Sequence, residues 1–222
     1  MVFDELYKEL AEREAKARGM GGPEKLARRG KAGVLNARER LDHLMDQGSF
    51  LESGLLAESA IAADRARSPA DGKIAGYGTV DGRDVAVVSN DFTVKGASSA
   101  ATNMKKVAQM QRTAAERGIP LIFLGESSGA RIPDNMGALG MGNLLANNNA
   151  QYRRLRESPW AAAVLGMAYG SSTWYGVLSD FCVMRKGAIM AVSSERLVSM
   201  AIGEKVDPEK LGGWRLHANE TG

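Results

Sequence analysis

The chain has 222 residues, 44% of them hydrophobic, which is enough for one sizeable core and short for two full domains. Its 29 Lys and Arg are nearly offset by 26 Asp and Glu spread along the chain, giving a net charge of +3 without the basic run that tracks nucleic acid, though a modest basic excess suits a ligand carrying phosphates. One cysteine and two histidines exclude an internal disulfide and argue against a zinc site, and the absence of a signal-peptide core or a membrane-length apolar run points to the cytoplasm, with no membrane partner and no metal.

Phe3, Leu6, Tyr7 and Leu10 repeat at helical spacing, so the chain is expected to open with an amphipathic helix of about fifteen residues. A basic, Gly-containing linker should follow, making residues 1–35 an appendage to a domain over residues 36–222. Asn36 is placed to cap a second helix, closed by the Gly48-Ser49 turn; its Arg38 and Arg40 are candidates to meet phosphates, against solvated charge as the plainer reading. Residues 73–80 and 84–89 read as two strands joined by the Asp81-Gly82 turn that favours a tight hairpin. Ala100, Met104, Val107, Ala108 and Ala115 mark one face of a helix that stops at Gly118.

The next stretch, Leu121 to Ile132, organises the rest. Four apolar residues, Leu-Ile-Phe-Leu, give a buried strand over residues 121–124, followed by the mostly small residues Gly-Glu-Ser-Ser-Gly-Ala. From Pro133 to Trp160 the composition turns Gly-, Met- and Asn-rich, which suits a mobile loop or a short irregular helix. Residues 161–166 form a second buried-strand candidate that again runs into small residues, Gly170-Ser171-Ser172, and then a helix from Thr173 to Ser179. Short strands are expected at residues 181–185 and 188–192, with Cys182 as a buried small hydrophobe, then a helix over 195–202 closed by Gly203. Asp207 caps a short turn with Pro208 at its first position, and the chain is expected to end without a closing helix. This succession of strands and helices points to an α/β layered fold.

Two strand-to-small-residue turns invite one chemistry. If they face one another, backbone N–H groups of Ser128, Gly129 and Ala130 on one side and Gly170, Ser171 and Ser172 on the other form an oxyanion hole reinforced by helix N-termini. Removing a proton next to a thioester carbonyl places negative charge on its oxygen, and small residues let the backbone approach it. The same stretch also spells G-x-S-x-G with Ser127 at its centre, and Asp180 or Asp207 and then His217 follow in the order of an α/β-hydrolase triad. A serine hydrolase therefore competes for the same residues.

Beyond these patterns, the sequence resembles the carboxyltransferase (beta) subunit of biotin-dependent acyl-CoA carboxylases. The resemblance rests on Asn36-Ala37-Arg38-Glu39-Arg40-Leu41, on Gly76-Tyr77-Gly78-Thr79-Val80-Asp81-Gly82-Arg83, on Asn90-Asp91-Phe92-Thr93-Val94, on Glu126 to Ile132, on Ser179-Asp180-Phe181 and on Leu211-Gly212-Gly213 with His217. It covers nearly the whole chain and accounts for more residues than the hydrolase motif does. It implies a crotonase-like (ClpP/crotonase) α/β spiral of strand-strand-helix units, with acyl-CoA of the acetyl or propionyl class as substrate between the two amide turns.

Asn90, Phe92, Thr93, Val94, Arg38 and Arg40 are the residues it suggests for holding CoA. It also implies biotin on a separate carrier protein, whose anion takes the α-proton so that no side-chain base is demanded. The implied partners are the biotin carrier and biotin carboxylase proteins, a second carboxyltransferase domain that binds biotin, and further copies in a homo-oligomer. Two turns depart from the family pattern: Glu126 and Ser128 stand where Asp and Gly are usual, and Tyr169-Gly170-Ser171-Ser172 replaces Ala-Gly-Gly-Ala. The sequence covers only the first of the family's two domains, so a domain that binds acyl-CoA or a partner without turnover is a further reading.

Overall fold

The computed structural model describes residues 2–135 and 158–221. Most of the Gly-, Met- and Asn-rich stretch, expected as a loop or irregular helix, lies outside the described residues.

Local signals built the first elements as expected. Helix α1 spans Val2–Arg18, with Asp4 and Glu5 in its first turn and Lys16 and Arg18 in its last, each sign complementing the helix dipole. The basic stretch read as a linker is instead a helix, α2 (Pro23–Lys31), started by Pro at a position where its missing N–H costs nothing. Asn36 caps α3 (Ala37–Leu44) through a full capping box with Glu39.

Strand β1 (Leu51–Ser53) precedes the hairpin of β2 (Lys73–Val80) and β3 (Arg83–Asn90), turned by Asp81 and Gly82 with φ of 49° and 73°. Positive φ at both positions is the type I′ geometry that matches the twist of the strands. Helix α4 (Ala101–Arg117) ends at Gly118, which adopts the left-handed conformation (φ 67°), and β4 (Leu121–Ser128) follows. A short helix α5 (Ile132–Asn135) comes next, and β5 (Trp160–Tyr169), α6 (Ser171–Leu178), β6 (Phe181–Met184), β7 (Ile189–Ala191) and α7 (Glu195–Ile202) follow the undescribed stretch. Three successive strand-strand-helix units result: β2-β3-α4, β4-β5-α6 and β6-β7-α7.

Among the described residues the strands form one seven-stranded sheet in the order β1-β2-β3-β4-β5-β6, with β7 also pairing β5. β1, β2 and β3 pair antiparallel, and β3, β4, β5 and the last two strands run parallel. Side chains alternate faces along β3: Ala86 and Val88 join Val107, Met110, Phe123, Trp160 and Tyr175, whereas Val85 and Val87 join Ala37, Leu41 and Leu124. The sheet is thus covered by α4 and α6 on one face and α3 on the other. The Phe123 and Tyr175 rings stack with centroids 4.3 Å apart.

Two expectations fail in the C-terminal third. Cys182 is exposed, because β6 is an edge strand on which Phe181 and Val183 are 65% and 45% exposed. The chain does not end in open coil: a short helix over Pro208–Gly212 leads into another, Trp214–Leu216, and a π-type turn, His217–Thr221. Among the described residues no helix is long and apolar enough to cross a membrane.

Candidate active site

Strand β4 continues past residue 124 through Ser128, so the first turn opens later than the composition suggests, at Gly129 (φ 101°). Its neighbour β5 ends at Tyr169, opposite Ser128, and Gly170 (φ 62°, ψ −121°) turns the chain into α6. Parallel neighbours deliver their following turns to the same edge of the sheet, the place where α/β folds bind ligands. A methyl group built on Gly170 would come within 3.4 Å of Gly129 Cα and 3.9 Å of the Ala130 nitrogen. The two turns therefore face one another in contact.

The amides in these turns are not equivalent. Gly129 N–H donates to Ser127 Oγ (3.0 Å), and Gly129 C=O accepts from Ser99 N–H (2.8 Å). Among the described residues no group accepts from Ala130 N–H, and Ala130 is exposed. Ser171 and Ser172 lie in the first turn of α6, where a helix offers its N–H groups no internal acceptor and carries partial positive charge. Ala130, Ser171 and Ser172 thus carry backbone N–H groups at this edge of the sheet for which no backbone acceptor is found among the described residues.

A buried polar scaffold holds the turns from beneath. Two left-handed turns pack side by side, Ala70-Asp71-Gly72 (φ 49°, 46° and 71°) and Lys95-Gly96-Ala97 (φ 48°, 61° and 50°); a methyl group on Gly72 would strike Val94 C=O at 2.9 Å. Their carbonyls, pointed inward, find cationic donors. Lys106 Nζ donates to Ala70 C=O (3.0 Å), Gly54 C=O and Lys73 C=O, and Lys73 Nζ donates to Ala97 C=O (3.2 Å) and Asn90 Oδ1 (3.3 Å). Arg131, directly after the first amide turn, pairs with Asp71 and Asp134 and donates to Ser98 C=O. Burial pushes Lys73 down to about 7 and Lys106 down to about 8, while the same burial raises Asp71 despite Arg131 beside it.

A cleft of about 450 Å³ opens beside the first turn. Lys25, Arg28 and Arg29 reach it from one face of α2, and Lys95 and Arg185 arrive from distant parts of the chain, with Phe92, Thr93 and Gly96 between them. The one carboxylate among the described residues that line it, Glu126, is held by Arg29 (2.7 and 3.2 Å) and by Arg40 (2.9 Å). Lys25 also donates to Thr93 C=O (3.0 Å), which docks α2 on the domain. Gly96 links cleft and turn: a methyl group there would meet Ser128 Oγ at 2.6 Å. The cleft thus borders the residue that precedes the first turn.

A profile of the carboxyl transferase domain family matches residues 28–222. The chain belongs to this family. Among relatives of the carboxyl transferase domain, a Bacillus subtilis (strain 168) chain bearing a propionyl-CoA carboxylase beta-chain name is 36% identical over 207 residues, 91% of this chain and 40% of that one. The methylmalonyl-CoA carboxyltransferase 12S subunit of Propionibacterium freudenreichii subsp. shermanii is 33% identical over 96% of this chain and 41% of its own length. A crystal structure of transcarboxylase 12S with methylmalonyl-coenzyme A and methylmalonic acid bound superposes with a TM-score of 0.87 at 31% identity, covering 99% of this chain and 43% of that one. The chain spans about four tenths of the length of these curated relatives. The expected α/β crotonase-like fold is borne out.

The carboxyl transferase domain places its other anticipated residues less uniformly. Arg38 forms a bidentate pair with Glu52 (2.8 and 3.2 Å) and Arg40 is buried against Glu126, so neither lines the cleft. Asn90 is buried between Lys73, Glu126 C=O and Ser172 Oγ, and Val94 is buried; only Phe92 and Thr93 of that segment border the cleft.

The hydrolase triad is not assembled. Ser127 is fully buried, and its hydroxyl donates to Ala97 C=O (3.3 Å). His217 bonds Thr221 Oγ1 and Met190 C=O, Asp180 accepts from Trp160 N–H, and Asp207 caps the helix at Pro208. Each has its own structural partner, and the carboxyltransferase family replaces the hydrolase reading. The cleft cations were not anticipated, although Lys25, Arg28 and Arg29 stand at i, i+3 and i+4.

Proposed function

We propose that this carboxyl transferase domain binds a short acyl-CoA, of the acetyl or propionyl class, and stabilises the enolate to which a carboxyl group is transferred. The observation that carries the reading is the contact of Gly170 with Gly129, which brings the turn bearing Ala130 against the turn that leads into Ser171 and Ser172, at a junction near a cationic cleft. A thioester oxygen at that point gains charge when the α-proton leaves. Preorganised amides stabilise that charge, with about 2.7–4 kcal/mol at stake per donor. The cleft cations, led by Arg28 and Arg185, suit the phosphates of the CoA moiety, and Phe92 offers an apolar wall. Biotin on a separate carrier supplies the activated carboxyl group and, once that group has left, a basic nitrogen.

Turnover in this reading requires a second carboxyltransferase domain, the biotin carrier and biotin carboxylase proteins, and assembly with further copies of the chain. The cytoplasm is the compartment that supplies these partners. Calorimetric titration of the chain with acetyl-CoA and propionyl-CoA, against free CoA and a simple ester, tests the proposal. Saturable binding that prefers the thioesters supports it, and equal affinity for free CoA removes the acyl half of the site. Carboxylation of acyl-CoA by this chain alone would refute the need for the second domain.

A further inference from the structure

We infer that Lys73 is a positioning residue that ties the two amide turns to each other, so that one buried ammonium sets the spacing of donors contributed by β4 and by α6. The inference rests on the acyl-CoA reading only for the identity of the oxygen those donors meet.

Two hydrogen-bonded branches leave the ammonium. In the first, Lys73 Nζ donates to Ala97 C=O, which also accepts from Ser127 Oγ, which in turn accepts from Gly129 N–H. The Ser127 proton is directed at Ala97, leaving its lone pairs for the Gly129 amide, and Gly129 N–H is turned inward. The following amide, Ala130, is left facing out. In the second branch Lys73 Nζ donates to Asn90 Oδ1, and Asn90 Nδ2 donates to Glu126 C=O (2.9 Å) and Ser172 Oγ (3.1 Å). A cation at the carboxamide oxygen fixes which end of Asn90 faces Ser172, because the two ends have opposite hydrogen-bonding roles. One branch ends at Gly129 and the other at Ser172, two residues past the Gly170 that Gly129 touches.

Lys73 carries the only charge shared by the branches, and it is fully buried. Asp71 favours its charged form, Arg131 and Lys106 oppose it, and burial is the largest influence. These are the charged groups facing it from the neighbouring turn, from the β4 turn and from α4. The ammonium is therefore present below about pH 7 and lost as pH rises through that value. Its loss weakens both branches together, which side chains that merely fill space would not do.

The test is a pH series of amide 1H–15N spectra between about pH 6 and pH 9 on the full chain, as wild type, Lys73→Arg and Lys73→Met, with Lys106→Arg as a control for the neighbouring lysine. In the wild type and in Lys106→Arg, the Gly129, Ala130 and Ser172 signals are expected to move with one shared midpoint. Lys73→Arg, charged throughout, should hold them near their acidic positions, and Lys73→Met should abolish the step.

Separate midpoints in the wild type, or a step unchanged in Lys73→Arg, overturn the inference even if Lys73→Met does not fold. A parallel titration with acetyl-CoA and free CoA at both ends of the range separates this result from the wider reading. Preference for the thioester should fall several-fold with rising pH in the wild type and stay flat in Lys73→Arg. A shared amide midpoint without any thioester preference supports the tie and removes the acyl-CoA reading, whereas thioester preference without a shared midpoint does the reverse.

Discussion

Arg29 and Glu126, ninety-seven positions apart in the chain, form a two-point ion pair with oxygens 2.7 and 3.2 Å from the guanidinium nitrogens. Arg40 closes on the same carboxylate at 2.9 Å, and all three side chains are largely removed from water. Glu126→Ala leaves two guanidinium groups facing each other without their shared counter-ion. A loss of about 3–5 kcal/mol in unfolding free energy is expected, read from urea denaturation at neutral pH. A loss below about 1 kcal/mol, the range of surface pairs, would show that the carboxylate is not the anchor of α2.

The Gly170 conformation makes a second prediction. Gly170→Ala must accommodate a side chain at φ 62° and ψ −121°, directly against Gly129. It should cost stability and lower thioester affinity while leaving free CoA binding in the cleft less affected. Calorimetry with both ligands measures the difference. Equal losses for acetyl-CoA and free CoA would mean that the turns do not contact the acyl group.

Charge in the cleft is predicted to act through the CoA moiety. Arg28→Ala and Arg185→Ala should each weaken free CoA and acetyl-CoA alike, by about threefold to tenfold, as expected of one phosphate contact of roughly 1 kcal/mol. Raising salt from about 0.05 to 0.5 M should weaken the wild type more than either variant. A salt response identical in wild type and variants would place the phosphates elsewhere.

Stability should rise with pH from near neutrality. Lys73 and Lys106 have folded-state values lowered to about 7 and about 8, so above those values the unfolded chain holds protons that the folded chain has released. Stability then increases with pH until unfolded lysine titrates near 10.4, with an upper limit of about 1.4 kcal/mol per pH unit for each lysine. The rise is countered above about pH 10, because burial raises Tyr175 and the unfolded chain loses its tyrosine proton first. Urea melts at pH 7, 8, 9 and 10 check the slope. A flat profile, or one unaltered in Lys106→Met, would remove the buried lysines as its source.

Ser127→Ala should leave labelling by a fluorophosphonate unchanged, at background, since its hydroxyl is enclosed and bonded to Ala97 C=O. It should nonetheless destabilise the chain by about 1–3 kcal/mol, because Gly129 N–H loses its acceptor. Labelling that disappears with the variant would return Ser127 to the role of a nucleophile.

What the sequence made legible was chiefly local. Asn36 as cap, Asp81-Gly82 as hairpin turn, and Gly118 and Gly203 as left-handed helix ends depend on a few adjacent residues, and all stand as read. The two small-residue turns were also visible, but their contact depends on the parallel register of β4 and β5. The buried cations were hidden by their chemistry. Lys106 and Asn103 look like the solvent face of α4, whose inner stripe seemed to pass through Ala108 and Ala115, yet they face inward because left-handed turns present carbonyls there. Pro23 and Gly30 disguised α2 as a linker, although Pro opens a helix well and the cation spacing was helical. Arg185 joins the cleft only through the tertiary path.

The docking of α2 bears on how the protein may be shortened. Gly21 and Lys25 grip Thr93, Arg29 grips Glu126, and the same helix carries three of the cleft's cations. A chain trimmed to begin at Arg28 would keep every strand and both amide turns, yet lose Lys25 and the start of the helix that holds Arg28 and Arg29 in place. Such a fragment would lose the helical signal of residues 2–27 from its circular dichroism, keep its sheet, and have forfeited one wall of the cationic cleft.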